Sequence, residues 1–291
     1  MKKNFMRLLI SLTVIALLVT SIFVGNTGCK KDDSTKKVDS ITTDNSNGLQ
    51  SVMTIPNGKL TSGTLPVASS SSSAPQINSS QSSASFNPGT QFQLPFAFTA
   101  NTSWKYIYVY VSGATNGYIQ VTNSSTASVT SGTIIVPILI PSQVKYGSFT
   151  IIYCVVDNNG LVSNWIYTTI LLTAPITCAN ADVYGSEGLT QTNVDLGTKS
   201  GNVSINYDTY TVPDRIDVYQ GTTWLAGTET SSVHPSVPPL CDCSTPGDGF
   251  IGATGTLTFT YNPSKGKTIT VYVSGCLGGS TAWEWHIVCP N

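Results

Sequence analysis

The chain has 291 residues, enough for two ordinary domains, and only 10% of them are charged, with a net charge of −1. An average soluble protein has roughly 25% charged residues. This balance excludes a basic nucleic-acid-binding surface, so no nucleic acid partner is expected. The polar surface has to come from Ser, Thr, Asn, Gln and Tyr, which suit strands and turns and favour an extracellular all-β protein.

The first 28 residues have the pattern of a secretory signal. A basic start precedes an apolar run over residues 8–24, which is short for a membrane span and typical of a signal segment. Because Gly28 precedes Cys29, residues 1–28 resemble a lipoprotein signal peptide, which implies that the Cys29 thiol carries the lipid, such as palmitate. Asn26 departs from the Leu usual at that position in such signals, and an uncleaved signal anchor is the alternative.

Residues 30–34, KKDDS, resemble the export signal of surface lipoproteins of Bacteroidetes. Ser34 and Ser40, in "DST" and "DSI", resemble the O-glycosylation acceptors of that phylum. The resemblance, which extends to spirochaete lipoproteins for the signal peptide, implies a lipid-anchored protein on the outer face of the outer membrane.

Residues 29–85 are predicted to form a lipid-anchored, disordered tether. From Lys30 to Ser85 the chain is rich in Ser and contains no aromatic residue. Such a segment has too little apolar area to offset the entropy of ordering.

Two β-sandwich domains are predicted after the tether. Residues 86–175 contain short β-rich runs at roughly ten-residue spacing, with a turn at "DNNG", and resemble an immunoglobulin-like or fibronectin-like domain. Residues 176–291 contain a second set of strands that resembles an accessory β-sandwich module of secreted bacterial proteins, recognisable by "PDR" at 213–215 and the Trp-rich last strand. This resemblance implies a non-catalytic module. Residues 231–249 have no strand pattern and are predicted to be a surface loop.

Two similar stretches, KYIYVYVSGATNG at 105–117 and KTITVYVSGCLGG at 267–279, share eight of thirteen residues. They lie at different ordinal positions in the two domains, and their neighbouring segments do not align. The similarity therefore indicates that both segments form a strand followed by a Ser-Gly turn, without an internal duplication. The outward positions at which the two segments differ are where function is expected.

Six cysteines remain for an oxidising compartment once Cys29 is set aside. They are Cys154, Cys178, Cys241, Cys243, Cys276 and Cys289. Cys178 and Cys289 open and close the second domain, so this pair is predicted to form a disulfide. Cys276 is a candidate partner for Cys241 or Cys243, and Cys154 lies in an apolar run as a candidate buried thiol.

No metal site or cofactor is predicted. A zinc site at Cys241 and Cys243 with His234 and His286 is disfavoured, because the two thiolates are only one residue apart. Calcium at Asp208, Asp214 and Asp217 is a weak alternative to structural carboxylates at turns.

No enzyme is predicted. Asp157 is the only carboxylate between Leu49 and Ala181, so the first domain lacks a glycosidase pair. Glu284 and His286 alternate onto one strand face, which an exposed polar face explains better than an acid–base couple.

The candidate binding surface is a row of aromatic residues on a single strand. Side chains alternate between the faces of a strand, so an Ile/Val face directed to the core leaves four aromatics on the other face. They are Trp104, Tyr106, Tyr108 and Tyr110. This row favours stacking against sugars or contact with a protein, and a covered second face is the alternative.

The sequence thus predicts a non-catalytic surface protein that binds a polysaccharide or a cell-surface protein. The alternatives are a structural or accessory subunit of an envelope complex and a lipid-anchored hydrolase.

Overall fold

The computed structural model describes residues 41–125, 128–232, 234, 249–277 and 280–290, with Asn180 described by its backbone alone. Across these ranges the regular secondary structure is mostly strand, which confirms the predicted all-β sandwich class. The helices in this part of the chain are all too short to cross a membrane. Cys29, Ser34, Ser40, Cys241 and Cys243 lie outside the described residues.

The first sandwich pairs a six-stranded sheet with a three-stranded sheet. Its elements are α1 (Ser46–Val52), β1 (Gly58–Thr61), β2 (Gln76–Ser80), β3 (Ser83–Phe86), β4 (Gln91–Thr99), β5 (Trp104–Val111), β6 (Tyr118–Thr122), β7 (Ser131–Leu139), β8 (Gly147–Asp157) and β9 (Ile166–Leu172). The strand orders are β1-β6-β5-β8-β9-β3 and β2-β4-β7. All pairings are antiparallel except that of β3 with β9.

Strand β5 places its apolar residues in the core. Ile107, Val109 and Val111 are at most 1% exposed and share one cluster with Phe96 and Tyr153. Because the strand alternates from Tyr106 onward, Tyr106, Tyr108 and Tyr110 point to the opposite side of the six-stranded sheet, whereas a register shift between Trp104 and Tyr106 interrupts the alternation at Trp104. The Ile/Val face is therefore the core face, as predicted.

The predicted disorder of residues 29–85 is wrong from Ile41 onward. Helix α1 buries Leu49 completely, and Met53 and Ile55 follow it into the core of the first sandwich. Gln50, only 1% exposed, donates to the carbonyl of Gly117 and accepts from the amide of Val111. A few apolar residues are enough here because β4, β5 and β8 already supply most of the core.

The second sandwich pairs a five-stranded sheet with a four-stranded one. Its strands are β10 (Ile176–Thr177), β11 (Asp182–Gly185), β12 (Gly188–Asp195), β13 (Gly201–Asp208), β14 (Arg215–Gln220), β15 (Thr223–Gly227), β16 (Thr254–Tyr261), β17 (Thr268–Gly275) and β18 (Trp283–Val288). Short 3-10 turns occupy Cys178–Asn180 and Pro263–Lys265. The orders are β10-β12-β17-β14-β15 and β11-β18-β13-β16. Trp283, Trp285 and Ile287 of β18 are buried between the sheets.

The two sandwiches meet where β3 approaches β12. Gln81, 1% exposed, donates from Nε2 to the carbonyl of Leu189 and accepts the Leu189 amide at Oε1, over 3.1 and 3.2 Å. One side chain of the first sandwich thus satisfies both backbone groups of a residue in the second. This contact joins the two sandwiches beside β3 and β12.

Candidate binding surfaces

The aromatic row on β5 is half-buried at all four positions. Strand β5 is an inner strand of the six-stranded sheet, between β6 and β8. Its outward-pointing rings therefore lie beside these two strands. Trp104 and Tyr110 also pack against the edge of the core cluster of the first sandwich. The row is therefore neither fully free nor fully covered.

Three tyrosine rings of this face are packed together. The centroids of Tyr106 and Tyr108 lie 6.0 Å apart with nearly parallel planes, and those of Tyr108 and Tyr118 lie 4.7 Å apart with tilted planes. Burial, followed by the neighbouring Tyr118 and Cys154, raises the pKa of Tyr108. The Tyr108 hydroxyl therefore stays neutral and available as a hydrogen-bonding group.

The loop after β8 covers one side of this tyrosine group. Val162 and Trp165 pack with Cys154 and Val156 against Tyr106 and Tyr108. At the far end of β5, the Tyr110 hydroxyl donates to the carbonyl of Ala114 over 2.7 Å. The middle and the far end of the row are thus largely occupied by the protein's own contacts.

The near end of the row opens into a depression of about 370 Å³, called here the Trp104 depression. It is lined by Ser103, Trp104, Lys105, Tyr106, Thr122, Asn123, Ser125, Ser128 and Asn158. None of these residues is acidic. The Lys105 ammonium lies 5.1 Å from the centroid of the Tyr106 ring, an attractive cation–π distance.

Backbone contacts fix the polar wall of the Trp104 depression. Asn123 donates from Nδ2 to the carbonyl of Trp104 and accepts the Ser125 amide at Oδ1, both over 2.9 Å. Ser103 Oγ accepts the Val129 amide. Two aromatic rings, neutral amides, hydroxyls and one ammonium group suit a polyhydroxylated ligand: rings stack on its apolar faces and the polar groups bond its hydroxyls.

The buried carboxylate near this end has a structural role. Asp157 is fully buried and accepts from Thr102 Oγ1 and from the amides of Asn159 and Leu161. It therefore stabilises the "DNNG" turn, whose Gly160 has a φ of 79°.

The cysteines of the described residues have distinct roles. Cys178 and Cys289 form a disulfide with Cα atoms 5.7 Å apart, which is the predicted pair. Cys154 has a free, buried thiol, and burial raises its pKa. Cys276 is buried with its sulfur 3.5 Å from the carbonyl of Pro213. Its pairing with Cys241 or Cys243 stays a prediction.

The three aspartates weighed as calcium ligands are each engaged by protein groups. Asp208 accepts the amide of Tyr210, Asp214 accepts the Thr281 hydroxyl, and Asp217 accepts from Arg215 and from the indole of Trp224. The part of the chain that the structure describes contains no group of three or more His, Cys, Asp or Glu placed to hold a metal ion.

Side chains of β14 and of the residues after β15 form a buried ionic network that the sequence alone did not predict. Arg215, 3% exposed, bridges Asp217 at 2.6 Å and Glu229 at 2.5 Å. His234 pairs with Glu229 and stacks on Trp224 at 3.6 Å between ring centroids. The only sequence signal was an Arg and an Asp two residues apart, which places both on one face of a strand. Each buried charge has a partner, so the network is structural.

Glu284 and His286 lie on the solvent side of β18. His286 Nδ1 is 2.5 Å from Asp182 Oδ1, and the two side chains are more than half exposed. With Tyr184 and Asp208 they line a shallow depression of about 290 Å³. The arrangement is the exposed polar strand face expected from the sequence.

No protein-family model and no curated protein matches this chain. Solved structures with local similarity include the sialic acid binding region of an adhesin from Streptococcus sanguinis SK1, at 14% identity over 40% of this chain and 32% of that chain, with a TM-score of 0.22. The SGBP-B protein of a Bacteroides ovatus mixed-linkage glucan utilization locus is 8% identical over 71% and 52%, with a TM-score of 0.20. A titin Ig tandem is 13% identical over 70% and 96%, with a TM-score of 0.24.

The chain thus spans about a third of the length of the adhesin region and about half of the Bacteroides chain. The adhesin region is bound to 3'sLn, the Bacteroides protein is in complex with a mixed-linkage heptasaccharide, and the titin tandem consists of Ig domains. TM-scores this low do not indicate a function for this chain. The function has to be argued from the residues of this chain.

Proposed function

We propose that this protein is a non-catalytic saccharide-binding protein whose primary site is the Trp104 depression. The observation that carries the proposal is the depression's composition: two aromatic side chains, amides and hydroxyls held by backbone contacts, and no acidic residue in its lining. Aromatic rings contribute contact area at low entropic cost. Without a carboxylate beside the bound sugar, the site has no group for glycosidic acid–base chemistry.

Binding is tested with the full-length protein, solubilised in detergent, and four soluble polysaccharides: a mixed-linkage β-glucan, a xylan, a galactomannan and a polygalacturonate. Tyr106→Ala should weaken binding to at least one of them about tenfold, because one stacking face is lost. Affinity electrophoresis gives the dissociation constants, and a reducing-end assay should show no cleavage.

The matched control is Tyr167→Ala, which removes a tyrosine that is 61% exposed on β9 of the same sheet. It should bind like the unmodified protein. Equal affinities for the Tyr106 and Tyr167 variants would refute the Trp104 depression as the site and leave the accessory-spacer alternative.

We also propose that Cys29 anchors the protein to the outer membrane by a lipid, with the sandwiches at the cell surface. The support is the sequence alone: a basic start, an apolar run of signal length and the cysteine that follows it. Cells grown with labelled palmitate should incorporate label into the protein, and Cys29→Ala should abolish it. Cys154→Ala is the matched control. Undiminished labelling of the Cys29 variant would contradict the anchor.

A further inference from the structure

A cleft lies at the joint between the two sandwiches. This joint cleft has a volume of about 820 Å³, within the range of about 300–1,000 Å³ typical of ligand sites. The first sandwich contributes Asn87, Pro88, Thr90, Ser142, Gln143, Val144, Lys145 and Tyr146, and the joint and second sandwich contribute Pro175, Asn193, Gly221, Thr268 and Thr270. It is separate from the Trp104 depression, with which it shares no lining residue.

Two buried amide side chains, one from each sandwich, are half-satisfied at this cleft. Asn87 is 4% exposed, and its Nδ2 donates to the carbonyl of Thr173 over 2.5 Å. Asn193 is 5% exposed, and its Oδ1 accepts the Thr270 hydroxyl over 2.9 Å. The Thr173 carbonyl can only accept, so Asn87 is bonded through Nδ2; the Thr270 hydroxyl can donate or accept, and the structure places Oδ1 of Asn193 against it.

The other end of each amide has no protein partner among the described residues. Asn87 thereby keeps a free acceptor, Oδ1, and Asn193 keeps a free donor, Nδ2, and neither atom is sealed from solvent. A buried polar group without a partner is costly, so side chains that are nine-tenths buried are normally fully bonded. Each sandwich therefore contributes one half-bonded amide to the lining of the cleft.

The remaining lining indicates the chemistry of the ligand. Tyr146 is 60% exposed and offers a ring face at the rim, and Thr90, Thr268 and Ser142 add hydroxyls. The described lining contains no acidic residue and one ammonium group, Lys145. A hydroxyl group can donate to Asn87 Oδ1 and accept from Asn193 Nδ2, whereas an apolar ligand would leave both unpaired.

We propose that the joint cleft is a second saccharide-binding site, in which a polyhydroxylated chain lies between the sandwiches, bonded by Asn87 and Asn193 and stacked on Tyr146. The site uses residues of both sandwiches, so an occupied cleft holds them together. It does not depend on binding at the Trp104 depression.

The test uses the full-length protein and the same four polysaccharides. Tyr146→Ala and Asn193→Ala should each weaken binding of at least one of them about tenfold, because a stacking face or a prepared donor is lost. The matched controls are Tyr184→Ala, which removes a tyrosine 71% exposed on the second sandwich, and Asn202→Ala, which removes an exposed amide of β13. Both controls should bind like the unmodified protein.

The outcomes separate this proposal from the function proposed above. Loss of affinity in the cleft variants but not in the controls supports the cleft, whether or not Tyr106→Ala has an effect. Unchanged affinity of Tyr146→Ala overturns the cleft site, whereas a loss of affinity in this variant cannot be attributed to misfolding, because the side chain is exposed. If Tyr106→Ala alone weakens binding, the Trp104 depression stands and the cleft does not. Failure of the unmodified protein to bind any of the four polysaccharides counts against both sites.

Discussion

Asp214 is an ionisable residue in a position where burial opposes its ionisation. Its side chain is fully buried, and burial raises its pKa to about 7 although the Thr281 hydroxyl and the Cys276 amide favour the charged form. The sequence placed this aspartate among possible calcium ligands. Instead, the structure makes it a buried acceptor that joins the strand β14 entry to Thr281.

The raised pKa of Asp214 predicts a pH-dependent stability. In the unfolded chain the carboxyl ionises near pH 4, whereas in the folded protein it holds its proton to about pH 7. The free energy of unfolding should therefore fall by about 2–4 kcal/mol as the pH rises from 4 to 7 and level off above that. Asp214→Asn should remove this slope in urea unfolding at four pH values, and Asp195→Asn, at an exposed position of the same sandwich, should retain it.

At the scale of elements, the sequence identified the strands that carry their own apolar alternation. Strands β4 to β9 and β13 to β18 follow the β-rich runs, and the core faces of β5 and β17 were correct because Ile and Val alternate there with polar or aromatic residues. Strands β1 to β3 and β10 to β12 were missed. They are short or polar, such as QINSS in β2, and are ordered by pairing with stronger strands rather than by their own composition.

The Trp104 depression and the joint cleft also differ in whether the sequence alone could indicate them. Of the four unshared outward positions of β5 and β17, Tyr106 lines the Trp104 depression and Thr268 and Thr270 line the joint cleft, whereas Tyr108 lines neither. The sequence alone indicated Tyr106 because the alternating aromatic residues of this strand can be recognised directly in it. Asn87 and Asn193 carry no such signal, since their role depends on which end of each amide is already bonded. That information exists only in the folded structure.

For the whole molecule, the two sandwiches meet through groups on and beside β12, β3 and β4. Gln81 is central among them because it bonds both the amide and the carbonyl of Leu189, and the added Nε2 bond to Ser83 holds its orientation. Gly188 lies against this side chain, where any Cβ would stand within 3 Å of it. The apolar cores of the two sandwiches form separate clusters, as is usual for domains joined within one chain.

Gln81→Ala should loosen the joint without unfolding either sandwich. The Leu189 amide and carbonyl would lose their partner, at a cost of about 1–3 kcal/mol for each group left unsatisfied, while both sandwich cores remain intact. Hydrogen exchange at the Leu189 amide should become at least about tenfold faster, since about 1.4 kcal/mol corresponds to a factor of ten. The control Gln120→Ala, on β6, should leave that rate unchanged.

Because the joint cleft is built from both sandwiches, Gln81→Ala should also weaken saccharide binding there and spare the Trp104 depression. Unchanged exchange at Leu189 would mean that the joint is held by other contacts.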